Sequence, residues 1–179
     1  MPNNFLVTGR PGSGKTSVIE RAVTLLRERG YRAGGLYCPE IRERGVRVGF
    51  KMVDLMTGEE RILAHVDQPV GPLVSKYRVN VANVDTMSEA SISRALKEAD
   101  FVVIDEIAPM EVHSEGFKRA VLAALDSSKP LLAVIHQRTT TGFIGAVKSR
   151  QDVKVFEVTP GNRERLPEKL ARMVEEALR

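Results

Sequence analysis

Eight consecutive residues near the start of the chain, Gly9, Arg10, Pro11, Gly12, Ser13, Gly14, Lys15 and Thr16, fit the pattern GxxxxGK[ST] at every fixed position. Glycines let a backbone wrap so closely that successive N–H groups point inward at phosphate oxygens, and a helix opening behind them adds partial positive charge. A lysine at this spacing reaches the β- and γ-phosphates, and the hydroxyl after it is a hard oxygen donor for Mg²⁺. Lys15 is therefore a candidate catalytic cation and Thr16 a candidate metal ligand. The pattern carries weight only between a strand and a helix. Residues 5–8 read as a short buried strand. Residues 15–29 read as a helix with Val18, Ile19, Ala22, Val23, Leu25 and Leu26 on one broad face and Gly30 at its stop.

A second constellation lies far downstream, where the apolar run Phe101, Val102, Val103, Ile104 ends in Asp105-Glu106. A carboxylate closing a buried strand can hold the metal of a bound nucleotide, and its neighbour, on the opposite side of the strand, can orient or deprotonate an attacking water. Asp105 takes the first role and Glu106 the second; the competing reading makes Glu106 a solvated charge at a strand end. Neither Asn-Lys-x-Asp, which reads guanine, nor Leu-Ser-Gly-Gly occurs in the chain, so loose base selectivity is expected.

These loops need elements to carry them. Short apolar runs at 32–37, 77–81, 101–104, 131–135 and 153–158 predict strands, and 87–99, 117–125, 142–149 and 166–178 predict helices, the first capped by Thr86 or Ser88. Between 40 and 66 the alternation breaks: Val46, Val48, Phe50 and Met52 fall at period two, and Thr57-Gly58 separates them from Arg61-Ile62-Leu63, which is a hairpin signature. The expected fold is α/β, a three-layer α/β/α arrangement with a mainly parallel sheet and an inserted antiparallel hairpin, formed by residues 1–179 as one domain.

Composition agrees and excludes other classes. Hydrophobic residues at 42% and charged ones at 28% are ordinary globular usage, which sets aside collagen-like, coiled-coil and disordered chains. One cysteine cannot form an internal disulfide, no Cys/His cluster has zinc spacing, and no apolar run approaches a membrane span. With no signal-peptide pattern in MPNNFLVTG, a cytoplasmic address is expected. The net charge of +4 is small for 179 residues and does not favour dedicated nucleic-acid binding; a monomer is compatible with everything above.

The residues resemble the THEP-type nucleoside-triphosphatase family, relatives of the cancer-related nucleoside triphosphatase. The resemblance spans nearly the whole chain. It rests on Thr8 through Thr16, on Gly34-Gly35-Leu36-Tyr37 with Glu40-Ile41-Arg42 and Gly45-Val46-Arg47-Val48-Gly49-Phe50, on Asp54 and Thr57-Gly58, and on Asp105-Glu106-Ile107 with Met110-Glu111. What it implies is a RecA-like P-loop fold and Mg²⁺-dependent hydrolysis of several nucleoside triphosphates (ATP, GTP, CTP and UTP). The nucleotide site it implies is the phosphate loop together with Phe101, Val102, Val103, Ile104, Asp105, Glu106, Ile107 and Ala108. Ala108-Pro109 stands where the family usually has glycine, a stiffer turn on the path to Glu111.

Further residues admit two readings each. Glu111 is read as a charge at a helix N-terminus, with support of the site as the alternative. His136, ending the 131–135 strand, is either a γ-phosphate sensor or a hydrogen-bonded surface residue. Arg138, Lys148 and Arg150 are read as solvated, with a phosphate contact as the alternative, and Cys38 as packed. Arg42, Arg44 and Arg47 gather on the hairpin, where an exposed charged edge is favoured over a lid. Two other functions compete with hydrolysis: a kinase of a nucleoside or small metabolite, and a nucleotide-switched module binding RNA or protein.

Overall fold

The computed structural model describes residues 3–179. In chain order the elements are β1 (Asn4–Thr8), α1 (Lys15–Glu28), β2 (Ala33–Tyr37), β3 (Glu40–Glu43), β4 (Val46–Asp54), β5 (Glu60–His65), β6 (Leu73–Val74), β7 (Tyr77–Val79), α2 (Val81–Glu98), β8 (Phe101–Ile107), α3 (Glu115–Asp126), β9 (Leu131–Ile135), α4 (Gly142–Lys148), β10 (Val153–Glu157) and α5 (Leu166–Leu178). A 3₁₀ turn, Glu111–His113, joins β8 to α3.

All strands belong to one sheet of order β10-β1-β9-β8-β2-β4-β5-β7-β6, with β3 paired to β4. The run from β10 to β2 is parallel throughout, so these strands end at the same edge. The antiparallel part is larger than the hairpin expected. Besides the turn at Thr57-Gly58, a second turn at Arg44-Gly45 adds β3, and β4 pairs directly with β2, extending the main sheet.

Alternation in β1 explains the layers. Leu6 points into a core built with Val84, Met87 and Ile92 of α2, Phe117 and Val121 of α3 and Ile144 of α4. Phe5 and Val7 point the other way, onto Val18, Ile19 and Leu26 of α1 and Leu170 and Val174 of α5. Strands covered on both faces must be apolar on both sides, which is why β8 and β9 read as continuous hydrophobic runs. Packing this close leaves no room for a side chain at Gly35, where a Cβ would come within 1.9 Å of the Val103 carbonyl oxygen.

Both α2 and α3 start earlier than the periodicity predicts, β7 stops at Val79 instead of running to residue 81, and β8 continues past residue 104 to Ile107. The second helix starts at Val81, six residues before the expected start, because Asn80 caps it by accepting from the Asn83 amide at 3.0 Å. Thr86 and Ser88 lie inside that helix and cap nothing. Ser114 similarly caps α3, its hydroxyl accepting from the Phe117 amide at 2.9 Å.

Candidate active site

The site forms where β1 ends. Ser13 N–H donates to the Arg10 carbonyl at 3.0 Å, and Gly14 then takes φ 96°, a left-handed conformation that glycine adopts without a Cβ penalty. That geometry lets α1 begin at Lys15, whose Nζ donates to the Gly9 carbonyl at 3.0 Å across the loop. The Ser13 hydroxyl is buried in the loop with no hydrogen-bond partner among the described residues.

The other half of the site arrives through β8. One strand, β9, separates β8 from β1, with Val134 in register with both Val7 and Asp105. This places the phosphate loop and the Asp105-Glu106 pair on the same sheet edge with the end of β9 between them. Asp105 faces α1, and a cavity of about 330 Å³ beside it is lined by Ile19, Glu20, Val23, Tyr37 and Leu55 among others. Asp105 is only 9% exposed. Burial, reinforced by the charges of Glu106 and Glu20, pushes its carboxyl up to about 6, against the opposing pull of the Thr16 hydroxyl and Lys15. A buried carboxyl sharing a hydroxyl neighbour and lacking a bonded cation is an oxygen-donor pair suited to a hard divalent ion.

Glu106 is half-buried; it shares Glu111 and Cys38 with Asp105 as groups that feel its charge, and it alone of the two acts on His136. Glu111 opens the 3₁₀ turn, at a helix N-terminus as expected, and it is buried there. It is 3% exposed, and burial first, then Glu106 and Asp105, push its carboxyl well above the usual range, with the Cys38 thiol as a hydrogen-bonding neighbour. The Cys38 thiol is pushed up in turn, by burial and then by Glu111, so it is packed and protonated rather than reactive. In the sequence, the signal of Glu111's burial was a lone acid between the apolar Met110 and Val112.

Phe101, Val102, Val103 and Ile104 are buried between the two helical layers, and Ile107 and Ala108 are buried as well. These side chains hold the strand in place, Val103 also lines the cavity beside Asp105, and Asp105 and Glu106 are the polar residues of β8. His136 does fall beside the pair: its N–H donates to the Ile107 carbonyl at 3.0 Å, and its Nδ1 pairs with the Thr139 hydroxyl at 2.9 Å. Burial lowers its basicity, helped by Lys15, Lys148 and Arg138 and opposed by Glu106. Lys148 contacts backbone, donating to the carbonyls of Gln137 at 2.9 Å and Thr139 at 2.7 Å. Arg150 is held by Asp152 and Asp126. On the hairpin, Arg42 and Arg47 both bind Glu40, and Arg47 also donates to the Tyr77 hydroxyl at 2.9 Å while lying over the Phe50 and Tyr77 rings.

A glycine-rich loop between the first strand and first helix, an Asp-Glu pair one strand removed and a polar residue ending the strand between them define a P-loop NTPase with a RecA-like strand order. The chain belongs to the NTPase family, whose model matches residues 4–171. It is 49% identical over 172 residues to the nucleoside-triphosphatase THEP1 of Thermofilum pendens, covering 96% of this chain and 94% of that one. It is 43% identical over 179 residues to the THEP1 of Methanopyrus kandleri, covering 99% and 98%. Two solved structures share the fold: THEP1 from the hyperthermophile Aquifex aeolicus, with a TM-score of 0.84 at 28% identity over 96% of this chain and 99% of that one, and a human cancer-related nucleoside triphosphatase, with 0.81 at 30% over 98% of each. No helix among the described residues is long and apolar enough to cross a membrane.

Proposed function

We propose that this chain hydrolyses ATP, GTP, CTP and UTP to the diphosphate and inorganic phosphate, with Mg²⁺ as its metal and without strong base selection. The observation that carries the reading is the meeting of the phosphate loop and the Asp105-Glu106 pair at one sheet edge, with Asp105 beside Thr16 and α1 and Glu106 acting on His136 at the end of β9. Thr16 and Asp105 would hold Mg²⁺, which when bound supplies charge neutralisation at the β- and γ-phosphate oxygens. The loop amides from Gly9 to Thr16 bind and orient the phosphates, and Lys15 stabilises the charge that gathers on the β–γ bridge. Glu106 takes the proton of the attacking water as its oxygen bonds to the γ-phosphorus. The bond from that phosphorus to the β-phosphate oxygen breaks, the diphosphate leaves, and the proton passes from Glu106 to the product phosphate.

Phosphate release from the four triphosphates, with and without Mg²⁺ and with a panel of nucleoside acceptors, tests this reading. Wild type should release phosphate from all four without an acceptor, and only with the metal. Lys15→Ala should lose turnover and bind triphosphate at least tenfold more weakly, since a charge-assisted contact contributes roughly 1.5 to 3 kcal/mol. Turnover that needs an acceptor would make the protein a kinase, and wild-type behaviour of Lys15→Ala would remove the phosphate-loop assignment.

A further inference from the structure

The loop after β9 is more tightly held than a surface connection needs to be. At its start, Thr8 donates its hydroxyl to the Ile135 carbonyl at 2.8 Å, and His136 N–H is fixed to the Ile107 carbonyl, so the strand end is tied to the phosphate-loop strand on one side and to β8 on the other. Further on, the Lys148 ammonium bridges the carbonyls of Gln137 and Thr139, and the backbone of α4 lies against the loop so closely that a Cβ on Gly145 would come within 2.3 Å of the Thr140 oxygen. The two carbonyls that Lys148 holds flank a single residue, Arg138. Its side chain is exposed and forms no hydrogen bond or ion pair among the described residues, unlike Arg150, Arg47 and Arg42.

Charge at this edge is unbalanced. Lys15, Lys148 and Arg138 all act on the His136 ring in the same sense, against the one carboxylate of Glu106, so three cations and one anion gather around the end of β9. Lys15 and Lys148 are hydrogen-bonded only to carbonyls, which leave their charge in place. Cations that outnumber the carboxylate beside them repel one another, and the arrangement is favourable when a multiply charged anion enters between them. We propose that Arg138 is an arginine finger acting in cis on the γ-phosphoryl oxygens, and that Lys148 is the positioning residue that aims it. This deepens the hydrolase reading and rests on it. A guanidinium offers planar paired donors to phosphoryl oxygens, and fixing the backbone on both sides of it beforehand avoids reorganisation when charge develops in the transition state.

The test uses Arg138→Ala, Lys148→Met, Lys148→Arg and the double variant Arg138→Ala/Lys148→Met, measuring kcat and the affinities for ADP and for a non-hydrolysable ATP analogue. Arg138→Ala should lower kcat by about 10²- to 10³-fold. ADP affinity should stay unchanged, the preference for the triphosphate analogue over ADP should fall, and free guanidinium ion should restore part of the turnover. Lys148→Met should lower kcat in the same direction, Lys148→Arg should retain it, and the double variant should be no slower than Arg138→Ala, because a positioning residue has nothing left to position. Wild-type kcat and an unchanged analogue-to-ADP preference in Arg138→Ala overturn the finger; multiplicative losses in the double variant overturn the role of Lys148. If wild type releases no phosphate yet Arg138→Ala still loses the preference for the triphosphate, the hydrolase reading has failed while the γ-phosphate contact stands.

Discussion

Replacing Glu106 by Gln separates chemistry from binding. The substitution keeps the side chain's size but removes its ability to take a proton. A lost general base slows the chemical step by roughly 10²- to 10⁴-fold, or about 3 to 5 kcal/mol in activation free energy. The phosphate loop, Thr16 and Asp105 are untouched, and Asp105 faces the α1 side while Glu106 acts on Glu111 and His136, so affinity for Mg-ATP should stay within about twofold. Stability should move the other way. Glu106 is the strongest charged influence after burial on both Asp105 and Glu111. Neutralising it relieves like-charge repulsion, and relief on the order of 1 kcal/mol raises Tm by about 2 to 4 °C in a chain this size. Rapid-quench single-turnover hydrolysis, titration of a fluorescent triphosphate and a thermal melt would be run on the same preparation. A near-normal single-turnover rate would refute the assignment of the base and turn the search to Glu111 or His136. A lowered Tm would refute the picture of three crowded carboxyls.

Three further substitutions address Glu111 and the hairpin arginines. Glu111 has a raised folded-state pKa, so its burial costs increasing stability as pH climbs above the ordinary glutamate value of 4.5 toward that raised pKa. Glu111→Gln should therefore gain Tm relative to wild type, by a margin that widens from pH 5 to pH 8; a margin flat across that range would show that the carboxyl is not buried protonated. On the hairpin, Arg47→Ala removes the stacking on Phe50 and Tyr77 and two hydrogen bonds, and should cost about 1 to 2 kcal/mol in urea unfolding. Arg44→Ala should change stability by less than about 0.5 kcal/mol. Equal effects of the two would contradict the packing described, and a large loss of turnover in Arg44→Ala with an unchanged melt would make the hairpin a lid.

What the chain declares locally was legible before folding. The phosphate loop is eight contiguous residues whose function is carried by their own backbone, so glycine spacing and a following Lys-Thr are enough to recognise it. Strands β8 and β9 are buried on both faces, and a continuous apolar run is the direct consequence of that burial. The order of short apolar runs and amphipathic segments was likewise sufficient for an α/β fold, and the apolar period of α5 located that helix at Leu166–Leu178.

Tertiary structure decided everything that depends on two distant segments meeting. Asn80 rather than Ser88, an equally good cap by propensity, starts α2 because that end of the helix is tied to β5, the Asn80 N–H donating to the Leu63 carbonyl at 2.8 Å and the Asn83 side chain to the Ile62 carbonyl at 3.0 Å. Glu111 is buried because the turn after β8 brings it beside Cys38, a contact between segments far apart in the chain that its apolar neighbours Met110 and Val112 only hint at. Lys148 reaches Gln137 and Thr139 because α4 turns back on the loop that precedes it; a lysine's four-carbon stem allows many partners, and only the fold selects among them. Backbone patterns are short-range and repeat along the chain, whereas the partner of a buried or long charged side chain is set by which surfaces the packed layers bring together.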